Sequence, residues 1–99
     1  MPRLHDPRYR RDHLRLQVRG LLAGTVKSLR LDRGLIQKQL AVRAGVPQSQ
    51  IARLESLDDE RVPSLDFLAK LFAALGQRAV LRIGPPGGRK STLREIALV

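Results

Sequence analysis

Gln48, Ser49, Gln50 and Arg53 are the side chains in this sequence best suited to reading the edge of a nucleic-acid base. A primary amide bridges N6 and N7 of adenine, an arginine fork spans O6 and N7 of guanine, and a hydroxyl serves either. The other chemistry-bearing groups form no equally definite pattern. His5 and His13, beside Asp6 and Asp12, have the elements of an acid–base or metal pair. Both fall in an arginine-rich leading segment, outside any core able to position them. Gly84-Pro85-Pro86-Gly87-Gly88-Arg89-Lys90-Ser91-Thr92 approaches a phosphate-binding loop, but that motif needs glycine where Arg89 stands, and no room follows for its helix. The expectation is therefore a binding protein, with no enzymatic activity, no cofactor and no metal.

What positions the four side chains is an interruption. Apolar residues keep helical spacing through Leu40 and Ala41, stop at Ala44-Gly45-Val46-Pro47, and resume with Ile51 and Leu54. A glycine closing a short helix admits a left-handed backbone. Val46-Pro47 then sets an extended residue and the φ of a new first turn. Two short helices, at about 37–44 and 48–55, should meet at a steep angle. Ala41 is small enough for close approach, and Leu40, Val46, Ile51 and Leu54 turn inward. Gln48, Ser49, Gln50 and Arg53 are left outward on the second helix, which is a helix-turn-helix arrangement.

The flanking chain completes a four- to five-helix domain. Residues 1–13 hold four arginines and two prolines with little periodicity and read as a basic arm. Arg3, Arg8, Arg10 and Arg11 there suit a minor-groove arm. From Leu14 the positions Leu14, Val18, Leu21, Leu22, Val26 and Leu29 describe a helix ending near Gly34, weakened by Gly20 and Gly24. After an acidic loop at 56–62, Ser64 caps a helix carrying Asp66 in its first turn. Leu65, Leu68, Leu71, Phe72 and Leu75 lie along one face, and Gly76 ends it. The domain thus spans 14–76. Residues 77–84 alternate as a strand, and 85–99 form a linker and tail in which Thr92 and Glu95 have capping-box spacing.

Composition narrows the partner. With 99 residues, one core is expected, and 42 % apolar residues place the chain among globular proteins. The net charge is +10, and it is uneven: residues 1–55 carry twelve basic and four acidic side chains, residues 56–99 seven and five. A basic face is the footprint of a polyanion partner, nucleic acid first. Tyr9, Phe67 and Phe72 are too few for a base-stacking single-strand binder. The absence of cysteine excludes disulfides and thiolate metal sites. No apolar run suits a membrane span or signal peptide, so a cytoplasmic location is expected.

The residues Leu35-Ile36-Gln37-Lys38-Gln39-Leu40-Ala41, Ala44-Gly45-Val46-Pro47-Gln48-Ser49 and Ile51-Ala52-Arg53-Leu54-Glu55 resemble the Xre family of DNA-binding domains, the Cro and phage-repressor-like group. The resemblance covers about residues 20–76 and implies an all-α, lambda-repressor-like domain. By position it implies that Gln48, Ser49, Gln50 and Arg53 read bases, while Gln37, Lys38 and Arg43 hold phosphates. Two departures stand out: Ile36 and Pro47 occupy positions where the family has capping Thr or Ser, and the loop after Glu55 is longer and acidic. Such a loop should point away from phosphates. Glu55 and Arg53 also suit structural ion pairs.

A lone strand leaves its backbone groups unpaired. The expected solution is pairing of Val80, Leu81, Arg82 and Ile83 with the same strand of a second copy, giving a homodimer. Four helices followed by such a strand resemble antitoxins of the HipB and HigA type. The expected function is a homodimeric repressor of a palindromic double-stranded operator, serving as an antitoxin that represses its own operon and binds a cognate toxin. The alternatives are a stand-alone phage-type repressor and a protein-binding module built on a helix-turn-helix scaffold.

Overall fold

Among the described residues the chain runs through α1 (Pro7–Asp32), α2 (Gln37–Ala44), α3 (Gln48–Glu55), α4 (Leu65–Ala74), β1 (Val80–Ile83) and β2 (Arg94–Ala97). The computed structural model describes residues 7–56, 58–86 and 94–99. The four helices fold around Val26, Leu35, Leu40, Ala41, Ile51, Leu54, Leu71 and Leu75, with Phe67 and Phe72 packed against that cluster.

The break between α2 and α3 is closed by backbone alone. Gly45 has φ 69° and ψ 36°, the left-handed conformation that costs glycine nothing, and its N–H donates to the carbonyls of Ala41 and Val42. The N–H of Val46 follows onto the carbonyl of Ala41 at 3.1 Å. Ile36 and Pro47 supply no side-chain cap to α2 and α3. Gln39 compensates in part at α2: its Oε1 accepts from the Ile36 N–H at 2.9 Å, the reciprocal half of a capping box. At α4 the cap is complete, with Ser64 Oγ accepting from the Phe67 N–H at 3.1 Å. Gly76, at φ 69°, releases the chain at the other end.

Two expectations are corrected. The basic arm expected over residues 1–13 does not run to residue 13, because α1 begins at Pro7 and is 26 residues long. Proline is well placed at a first helical position, and arginine and leucine propagate a helix that the packed half nucleates. Arg3, His5 and Asp6 lie outside the described residues. The second correction concerns pairing: β1 does not wait for another copy, but pairs antiparallel with β2 of its own chain. The register is Val80 with Ala97, Leu81 with Ile96, Arg82 with Glu95 and Ile83 with Arg94. An ion pair of 3.1 Å between Arg82 and Glu95 and a hydrogen bond from the Leu98 N–H to the Ala79 carbonyl at 2.9 Å extend the hairpin. The segment around Glu95 is therefore strand, not incipient helix, and Thr92 falls outside the described residues. Cross-strand partners within reach outweigh a capping pattern on a segment too short to hold a helix alone.

Among the described residues, one apolar face stays uncovered. Leu14, Val18 and Leu21 are exposed on α1. Of these Val18 also lines a groove of ≈ 470 Å³ between α1, α4 and the hairpin, together with Leu22, Leu65, Phe72, Val80 and Leu81 among others.

Candidate nucleic-acid interface

The presentation of α3 follows from its two buried anchors. Ile51 and Leu54 are buried, which turns Gln48, Ser49, Gln50, Ala52 and Arg53 to solvent. The predicted base-reading side chains are thus together on one exposed short helix. Gln50 stands to one side, at the rim of a cleft it shares with Arg53, Asp59 and Arg61.

The angle of α3 is held by Glu55. Both carboxylate oxygens accept from Arg30, Oε2 from Nε at 2.9 Å and Oε1 from Nη2 at 2.7 Å, so the pair is bidentate. Arg30 Nη1 also donates to the Leu35 carbonyl at 2.7 Å, and Gln37 Nε2 donates to Glu55 Oε1 at 3.3 Å. One carboxylate therefore ties α1, α2 and α3 together inside the domain. The hydrogen bonding of Arg30 to Glu55, opposed by burial and assisted by the carboxylate's charge, raises the Arg30 pKa above its ordinary value. The expected structural role of Glu55 is filled, with Arg30 as the partner.

Of the expected phosphate contacts, Lys38 and Arg43 are exposed on α2, while Gln37 is half-buried with its amide on Glu55. Gln37 thus stands at the junction of the two roles: one N–H engages the carboxylate, and an amide nitrogen carries a second. Arg53, the fourth base-reading candidate, is held in turn. Its Nε lies 3.5 Å from Asp59 Oδ2. Val80, Leu81, Arg82 and Ile83, expected at a seam between copies, lie instead opposite β2.

Two functional supports are absent from the sequence reading. Arg19 is buried, with Nη2 donating to the Arg53 carbonyl at 2.7 Å and Nε to the Arg61 carbonyl at 3.1 Å. It closes the carboxyl end of α3 and fastens the acidic loop to it. Arg30 is the second. The signal for both was phase: Arg19, Val26 and Arg30 share the buried side of α1, where a cation is anomalous unless it has partners. The acidic loop is likewise not simply averted, since Asp59 is turned onto Arg53.

Residues 26–80, more than half of the chain, match a family model described as helix-turn-helix. No curated protein and no solved structure matches the chain. No helix of the described residues is long and apolar enough to cross a membrane.

Proposed function

Because the chain belongs to the helix-turn-helix family, we propose that this DNA-binding regulator is a sequence-specific repressor that reads a palindromic double-stranded operator as a homodimer. The observation that carries the reading is the exposure of Gln48, Ser49, Gln50 and Arg53 on a short helix whose other side is anchored by Ile51 and Leu54. Lys38 and Arg43 supply phosphate contacts from α2, with Gln37 adding its remaining amide proton.

A second copy is the natural occupant of the apolar groove. Two chains of net charge +10 repel each other over most of their surfaces. Among the described residues, Arg78 is the one ionisable side chain lining that groove, and no residue of α2 or α3 takes part in it. Pairing there leaves both reading helices free for two half-sites. The finer reading, an antitoxin that represses its own operon and binds a toxin, keeps only the succession of four helices followed by strand in its support, because β1 pairs with β2 and not with a second copy.

The test is binding to duplexes selected from a randomised library, titrated against salt. A specific reader enriches a two-fold motif and binds it at least a thousandfold or so above random DNA, with a steep salt dependence. Arg53→Ala should lose about 1–3 kcal/mol on the selected duplex and relax preference at one position per half-site, whereas Arg43→Ala should weaken all duplexes and lower the salt slope by about one. Failure to enrich any motif favours the alternative, a scaffold that binds protein partners.

A further inference from the structure

The loop that follows α3 is acidic, and one of its carboxylates stands between the guanidiniums of Arg53, on the proposed reading helix, and Arg61, in the loop itself. Asp59 Oδ1 accepts from the Arg61 N–H at 2.8 Å, which fixes the carboxylate's direction by a short turn. Its Oδ2 then meets Arg53 Nε at 3.5 Å, and its Oδ1 lies 4.0 Å from Arg61 Nε. The Asp59 side chain is only 16 % exposed, while that of Arg53 is 46 % exposed. Both ends of this arrangement are fastened by Arg19, which holds the carbonyls of Arg53 and Arg61 at once. The carboxylate is therefore an oriented part of the surface, with its charge answered by two arginines.

We propose that Asp59 is a positioning residue that sets base specificity: by holding Arg53 at Nε, it directs the two terminal Nη groups at O6 and N7 of a guanine in the major groove. An unheld arginine spreads over many rotamers and slides onto phosphates, gaining affinity without choice of base. Held at Nε, the fork has its Nη pair left to offer, and that pair matches the two acceptors of guanine. A loop carboxylate with no such role repels phosphates uniformly, and its removal tightens every duplex alike. The two roles differ in sign and in pattern. This inference rests on the DNA-reading role proposed above.

The experiment is selection from a randomised duplex library by the full chain and by Asp59→Asn, followed by titrations on the selected duplex and its single-base variants. The amide oxygen introduced by Asp59→Asn still accepts from the Arg61 N–H, while the negative charge is lost. Asp59→Ser does the same with a hydroxyl and serves as the second variant if the first melts early. The expected result is one guanine position per half-site in the wild-type motif at which both variants lose preference by roughly tenfold. Binding to random DNA should hold or rise. In an Arg53→Ala background, Asp59→Asn should flatten nothing further. A variant motif that keeps the guanine preference while all duplexes tighten equally overturns the inference and makes Asp59 a repulsive charge. A wild type that enriches no motif overturns the DNA-reading role itself, and the positioning role with it.

Discussion

At the scale of single residues, the most consequential group is Glu55, whose carboxylate reaches α1 through Arg30 and α2 through Gln37. The Arg30 and Glu55 side chains are 9 % and 4 % exposed, so solvent offers little relief if one of them is removed. Glu55→Ala leaves a buried guanidinium without its anion and should destabilise the domain by about 3–5 kcal/mol. Adding Arg30→Met to that variant removes the stranded charge and should restore a large part of the loss. Chemical denaturation of the two variants checks this. A single-variant loss below about 1 kcal/mol would mean that the pair behaves as a surface bridge. The exposure of Gln48, Ser49, Gln50 and Arg53 was legible because Ile51 and Leu54 fix the phase of a short helix. Arg19 and Arg30 were not, because a hydropathy pattern reads a buried cation as a surface residue until its partners are known.

Among the elements, α2, α3 and α4 were legible to their ends, and the reason is local: Gly45, Pro47, Ser64 and Gly76 each impose a boundary through their own backbone or side chain. The hairpin was not, because the partner of Val80–Ile83 lies across a proline- and glycine-rich connection that reads as the end of structure. The two glycine environments make opposite predictions of one substitution. Gly24 lies within α1, and a Cβ there meets nothing within 4 Å. Gly24→Ala should therefore stabilise the helix by about 0.5–1 kcal/mol. Gly45 has the same open space but φ 69°. Gly45→Ala should lose about 1–2 kcal/mol through the left-handed backbone alone. Thermal unfolding of both variants decides it, and a loss at Gly24 would show that α1 packs tightly there against something beyond its own chain.

For the whole molecule, the proposed reading of a two-fold duplex requires that two α3 helices be joined. The sequence placed the seam at Val80, Leu81, Arg82 and Ile83, and pairing of β1 with β2 removes that reason. Leu81→Pro would act first on the chain's own hairpin and so would not isolate a dimer seam. Leu65 is the better probe of the groove. It is 52 % exposed and is the first residue of α4. A carboxylate at a helix's first turn is favoured by the unpaired N–H groups and the dipole, so Leu65→Asp should leave the fold within about 0.5 kcal/mol of the wild type. At a seam the same change places two buried carboxylates against apolar surface, which a dimer of ordinary stability does not survive. Light scattering should then report a monomer with unaltered helicity. Its affinity for the selected two-fold duplex should fall to that for random DNA, because two linked half-site contacts become one. A Leu65→Asp protein that remains dimeric with full affinity would move the seam off the groove, and the free side of the hairpin would then be the next surface to probe.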